Sequence, residues 1–315
     1  MRDRQTLTAD VGAPLEEPAA GRRLQFVVRA PGRTAPLEAL LVDPADGPRA
    51  AGGPVLLYFL GFNVPLGPWE GTKAQLLANA FRMPVLAVEL PGQSRFGDPL
   101  PRSVAASMRR GGIQDWAGLQ AEYVRAAVTA AGLVPTGLHL VGYSTGCSLA
   151  MSSLAGLRAL APIRSVTLIE PVGALSRGLA RLAVDNARDV LRQPPAYATN
   201  HGHRWVMALR RRQLREPWVR YWPQDLLAIT QVLCRDHIVH HVGELEGRRL
   251  TIVRGERSDL CTAAGVAALE EAAEAAAAEG RTITVTGLGH PLWHSFPVVV
   301  PLAGLLAASS GAAAP

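Results

Sequence analysis

Apolar residues fall along the chain in short unbroken runs, separated by longer stretches in which they recur with helical spacing. Val55 to Leu60, Val85 to Leu90, Leu138 to Val141 and Val166 to Glu170 have the form of strands covered on both faces, as in a parallel sheet. Helical spacing marks Trp69 to Phe81, Trp116 to Ala131 and the stretch from Ser144 to about Leu160. This alternation predicts a mostly parallel α/β sheet with helices on both faces. Upstream, Leu24 to Arg29 and Leu37 to Val42 predict an antiparallel pair at a sheet edge, joined by the Pro31-Gly32 turn. The alternation stops at Pro171. From Gly173 to about Glu246 the pattern is helical and Arg-rich, interrupted at Pro194-Pro195, Pro217 and Pro223. Strand and helix then resume with Leu250 to Arg254, Ala263 to Ala278, Thr282 to Val285 and Phe296 to Ala308, giving eight strands in all.

Composition narrows the class without changing this picture. A chain of 315 residues with 48% hydrophobic content can bury a full core. The net charge of +6 is local in origin: between His201 and Tyr221 six arginines face one acid, Glu216. No nucleic-acid fold motif accompanies that segment, so no nucleic-acid partner is expected. Cys147, Cys234 and Cys261 lack the spacing of a disulfide framework or a thiolate metal site. The first twenty residues have no apolar core of the secretory kind, and the run from Val298 to Leu302 is too short to cross a bilayer. A cytoplasmic protein without membrane attachment is expected. The richness in Ala, Arg, Gly and Pro suggests a bacterial coding sequence of high GC content.

The candidate chemistry begins at Gly142-Tyr143-Ser144-Thr145-Gly146. An apolar run ending in Gly-x-Ser-x-Gly, followed by small residues where a helix opens, is the form of a nucleophile elbow. Its serine sits on a sharp strand-to-helix turn whose neighbours must be small. The N–H of Thr145, at the opening of that helix, would face an oxygen of a substrate bound over Ser144.

Taken with the strand order, this motif resembles the α/β-hydrolase family. The resemblance covers about residues 22 to 308. It implies an eight-stranded, mostly parallel α/β-hydrolase sheet with a helical cap inserted after strand 6. The corresponding division is a flexible arm over 1–21, a core over 22–173 and 247–308, a cap over 174–246, and a disordered tail over 309–315. The family's triad runs in chain order Ser, acid, His. The loop Gly255-Glu256-Arg257-Ser258-Asp259-Leu260 resembles the acid site, and Gly287-Leu288-Gly289-His290-Pro291 resembles the Gly-His loop. Ser144, Asp259 and His290 are therefore the expected nucleophile, acid and base. Glu170, at the end of the sixth strand, is the rival acid, and Asp259 could instead cap the helix from Ala263. The oxyanion hole is expected from the N–H groups of Phe62 and Thr145. Many relatives carry His-Gly where this chain has Leu60-Gly61, but a backbone donor does not depend on that side chain.

His294 is an alternative base, although Trp293 and the following helix favour a packing role. His201 and His203, or His237, His240 and His241, lack supporting carboxylate or thiolate spacing, so no metal and no other cofactor is expected. Cys147 is read as a space-filling residue, and Gln93 and Ser94 as lining the site or turning the chain. In the cap, Trp205, Trp218, Tyr221 and Trp222 either line a substrate pocket or form the cap's own small core. Its arginines either receive a carboxylate or the acidic surface of an acyl carrier, or are solvated. The function implied is hydrolysis of a carboxylic ester or thioester of a small acyl substrate through an acyl-enzyme. An acyltransferase, cyclase or lyase with the same triad, and a noncatalytic ligand-binding member of the fold, are the alternatives.

Overall fold

The computed structural model of the protein describes residues 3–8, 10, 13–29, 36–47, 52–191, 193–217, 219–220, 222–235 and 237–312. The strands are β1 (Asp3–Leu7), β2 (Arg23–Val28), β3 (Leu37–Val42), β4 (Gly53–Phe59), β5 (Val85–Val88), β6 (Pro135–Tyr143), β7 (Ile163–Ile169), β8 (Arg249–Gly255) and β9 (Glu279–Val285). In chain order the first helices are α1 (Pro68–Phe81), α2 (Arg102–Arg109), α3 (Gln114–Ala130), α4 (Thr145–Ser152) and α5 (Leu154–Leu157). They are followed by α6 (Leu179–Leu191), α7 (Gln193–Ala198), α8 (Arg204–Gln213), α9 (Pro223–Leu233) and α10 (His237–His241). The last two are α11 (Ala263–Ala275) and α12 (Phe296–Ser310).

One sheet contains all nine strands, in the order β1-β9-β8-β7-β6-β4-β5-β3-β2. Only β3 runs against its neighbours among the described strands. Where the sequence is continuously apolar the strand is central: β4, β6, β7 and β8 lie in the middle and their side chains are buried on both faces. Helices α1, α3, α4, α11 and α12 cover the two faces.

The expected strands are all present, and three details differ. The expected arm over 1–21 contributes β1, which pairs parallel with β9 from Asp3 opposite Arg281 to Leu7 opposite Val285. Its sequence is polar because this edge strand is largely exposed. The ladder and ion pairs of Arg4 with Glu270 and Arg281 with Asp3 hold it in place. Between β5 and the helix expected from Trp116, where no element is expected, the chain forms α2, which packs on α9. The expected disordered tail begins inside α12, which continues to Ser310 and closes at Gly311 with φ +71°, a left-handed cap that glycine favours. Residues 313–315 of that tail, and the Pro31-Gly32 turn, lie outside the described residues.

Among the described residues, the segment between β7 and β8 contains helices and no strand. Val206 and Leu209 of α8 form a second apolar cluster with Trp69 and Phe296, joined by Trp205, Tyr197 and Leu15. The arginines at the end of α8, Arg210 to Arg212, stand in its last turn, where the helix dipole favours positive charge.

Candidate active site

The turn after β6 is tightly crowded. A side chain at Gly142 would meet the backbone of Cys147 at 2.8 Å, and one at Gly146 would overlap the carbonyl of Phe59. Between them Ser144 has φ +54° and ψ −119°, a conformation a non-glycine residue keeps only where its surroundings determine it. The N–H of Ser144 donates to Ile169 at 2.9 Å, and that of Cys147 to Ser144 O at 3.0 Å. Thr145, buried, is the first residue of α4.

His290 follows β9, as expected, and its Nε2 lies 2.8 Å from Ser144 Oγ. Its Nδ1 lies 2.9 Å from an oxygen of Glu170. The acid partner is thus Glu170, not Asp259. Glu170 ends β7 with φ +55° and no exposed surface. Besides His290 it accepts from Ser258 Oγ at 2.5 Å and from the N–H of Gly255. Ser258 occupies the inward position in the loop after β8, so Asp259, one residue on, is turned aside. Asp259 is half-buried, and its carbonyl accepts from Arg177. Nor does Asp259 cap α11: Thr262 does, its hydroxyl accepting from the N–H of Gly265 at 3.2 Å.

The proton positions follow from the donors. An ionised carboxylate only accepts, so Nδ1 of His290 carries the hydrogen toward Glu170, and its Nε2 lone pair receives the Ser144 hydroxyl. The ring is held from several sides. Tyr143 stacks on it with centroids 5.6 Å apart, and its hydroxyl donates to His290 O at 3.3 Å. Burial raises the Tyr143 phenol well above its ordinary range and keeps it neutral.

Beneath Tyr143 lies a fully buried ion pair of α1, Lys73 with Glu70 at 2.6 Å. Glu70 also accepts from Tyr58 at 2.6 Å, and Tyr58 from the indole of Trp293 at 2.7 Å. His294 packs among Tyr197, Tyr143 and this ion pair, and burial beside Lys73 depresses its imidazole well below the ordinary range. It is a packing residue in this geometry. Cys147 is one too: its Sγ donates to Gly142 O at 3.2 Å and burial pushes the thiol up.

Phe62 lies in the turn after β4. The next N–H, of Asn63, donates to the buried Gln93 side chain at 2.7 Å, so Gln93 fixes this turn. Ser94 pairs with Arg220 of the helical insertion through two backbone hydrogen bonds. The insertion also ties down the histidine turn. Asn200 donates to His294 O at 2.8 Å and accepts from the N–H of Phe296 at 2.9 Å. Asp189 of α6, buried against Gly289, accepts from the N–H of Leu260 at 3.1 Å; burial raises its carboxyl above the ordinary range, opposed by the nearby His290. Asn200 and Asp189 carry no sequence signal because their partners lie about 70 to 95 residues away.

A cavity of about 280 Å³ adjoins this site. Asn63, Trp69, Glu70, Tyr197, Arg210 and His294 are among the residues that line it. Of the expected pocket aromatics, Trp205 and Trp222 do not. Trp205 packs edge-on against Phe296 and donates to Leu15 O at 2.9 Å, serving the second apolar cluster. Trp222 is half-exposed and donates to Gly97 O, while Trp218 and Tyr221 lie outside the described residues. Among the described residues no group of histidine, cysteine and carboxylate side chains is placed to hold a metal ion, and no helix is long and apolar enough to cross a membrane.

Comparison with curated proteins gave no match. The chain is similar in structure to an esterase of Pyrobaculum calidifontis, with a TM-score of 0.55 and 17% identity over 93% of this chain and 86% of that one. It is also similar to E-2-(acetamidomethylene)succinate hydrolase, with a TM-score of 0.61 and 18% identity over 91% and 99% of the two chains. A thermophilic esterase of Thermogutta terrifontis gives 0.55 and 15% over 90% and 98%. Residues 60–300 match the model of the alpha/beta hydrolase family, from the end of β4 into the first turns of α12 and including the elbow and His290. The chain belongs to the alpha/beta hydrolase family.

Proposed function

We propose that the protein is a serine hydrolase that cleaves a carboxylic ester or thioester through an acyl-enzyme on Ser144. The observation that carries this reading is the unbroken chain Ser144 Oγ, His290, Glu170, with 2.8 Å and 2.9 Å between partners. A serine hydroxyl is too weakly acidic to attack unaided. His290 Nε2 takes its proton as Oγ attacks the carbonyl carbon, then returns it to the departing alcohol or thiol. Glu170 holds the imidazole tautomer and stabilises the imidazolium while remaining ionised. The N–H groups of Thr145 and Phe62 receive the oxyanion, each worth on the order of 3 kcal/mol of barrier lowering. Water, activated by the same histidine, then releases the acid. The similarity to an esterase and to a hydrolase supports this class of reaction.

The test is fluorophosphonate labelling read by intact mass and peptide mapping, alongside turnover of short-chain aryl esters and thioesters. Stoichiometric labelling of Ser144, absent in Ser144→Ala and slowed in His290→Ala, is expected. A folded protein that neither labels nor turns over any ester overturns the acyl-enzyme reading. Acyl transfer to an added alcohol or thiol without release of free acid would favour the acyltransferase alternative.

A further inference from the structure

We propose that the cleft at the amino end of the sheet, opposite the candidate active site, binds a compact anion of the diphosphate class. The cleft encloses about 670 Å³, within the range of small-molecule sites. Its walls come from the starts of β4, β6, β7, β8 and β9 and from the ends of α1 and α12. Four arginines line it, Arg82, Arg164, Arg248 and Arg249, against one carboxylate, Glu279.

The charges do not cancel locally. The carboxyl ends of α1 and α12 contribute about half a negative charge each, and Glu279 one more. Four guanidiniums therefore leave roughly +2 in the cleft. Arg249 is the arginine already engaged, with Glu279 at 3.0 Å and with Ser310 O at 2.9 Å. Arg82, Arg164 and Arg248 have no ion pair or hydrogen bond of their side chains among the described residues.

Two of the guanidiniums lie in seats made for them. Arg164 crosses Gly137 so closely that a Cβ there would stand 2.9 Å from its Nε and 3.0 Å from its Cγ. Arg249 fills the space a side chain at Gly311 would need, its Nη1 coinciding with that position. Arg82 enters from the end of α1 with φ +52°, where glycine or asparagine is the usual residue. At the floor His139, buried, turns its Nδ1 to Ser165 Oγ at 2.8 Å and its ring edge to Phe81. Burial and the nearby Arg164 and Arg249 lower its pKa to about 4, so the floor is neutral at ordinary pH and the positive charge stays on the rim. Planar guanidiniums that line one open volume can match phosphate oxygens through paired N–H donors.

The test is calorimetric titration of the full chain with inorganic pyrophosphate at fixed ionic strength, with sulfate, orthophosphate and ADP as parallel arms. One site per chain is expected, at least tenfold tighter for pyrophosphate than for sulfate. Arg164→Gln and Arg248→Gln should each weaken it about tenfold or more. Gly137→Ala should weaken it too: it keeps every charge and only displaces Arg164. Arg211→Gln, which removes the same charge from α8, should change affinity less than twofold. Pyrophosphate should also raise the midpoint of the His139 ring titration, followed by NMR. Equal affinity for ADP and pyrophosphate assigns the site to the diphosphate alone, and tighter ADP to a nucleotide; both uphold it. Absence of saturable binding below millimolar pyrophosphate overturns the proposal, as does an affinity indifferent to Arg164→Gln and Arg248→Gln or equally reduced by Arg211→Gln.

Discussion

The strand β6 joins two regions that treat charge in opposite ways. At its carboxyl end the two carboxylates that support the reacting groups are matched: Glu170 receives three donors, and Glu70 receives Lys73 and Tyr58. At its amino end a buried histidine stays neutral beneath arginines that mostly lack partners. Matching in a low-dielectric interior fixes geometry to a fraction of an ångström, which moving a proton between Ser144 and His290 requires. Unmatched charge at an open cleft fixes little and attracts from a distance. Ser144 and Glu170 both hold positive φ at the carboxyl end, where packing and hydrogen bonds compel it.

The sharpest way to break the comparison is to spoil a matched charge in the reacting chain. Glu170→Gln is expected to lower ester kcat/KM by roughly 10⁴-fold, about 5 kcal/mol of barrier, while the fold persists. Next is the ion pair beneath Tyr143. Lys73→Met leaves Glu70 buried and uncompensated, and should cost about 3–5 kcal/mol in denaturant unfolding. Adding Glu70→Gln to it should restore a large part of that loss, because the stranded charge is then gone.

The amino end should respond to pH instead. His139 titrates near 6.5 when unfolded and at about 4 when folded, so its neutral form is the one folding requires. Its contribution is complete above pH 6.5 and declines as pH falls toward 4, by up to about 3 kcal/mol. The difference in stability between wild type and His139→Gln, measured from pH 7 to 4, should narrow or reverse over that window. The smallest effect sharpens the assignment. Asp259→Asn should alter kcat/KM less than about twofold, because the carboxylate that His290 Nδ1 meets is Glu170. A large loss of activity there, with Glu170→Gln still active, would return the acid role to Asp259.

Much of this was legible in the chain, for identifiable reasons. The central strands announce themselves because burial on both faces demands continuous apolar residues. Ser144 and His290 announce themselves because a crowded turn and a glycine-flanked loop leave local signatures. The acid does not. Glu170 and Asp259 follow adjacent strands, β7 and β8, and no local pattern separates them. The choice is made by Ser258 and Gly255, which donate inward to Glu170, and by the left-handed backbone at Glu170. Neither is visible without the fold. The strand β1 was hidden because an exposed edge strand needs no apolar alternation. The two uses open to Trp205 are not separable in the chain, because an aromatic residue on an amphipathic helix reads the same whether it faces a ligand or a neighbouring helix.

With the acid at the end of β7, two of the three groups of the site ride on neighbouring strands in the middle of the sheet, and only the histidine is carried by a loop. On heating, the His290 turn, held by Asn200 of the helical insertion, is expected to depart first and to leave serine and carboxylate in register on an intact sheet. Loss of activity should therefore precede loss of fold, and cooling should return the histidine to a partner that never moved.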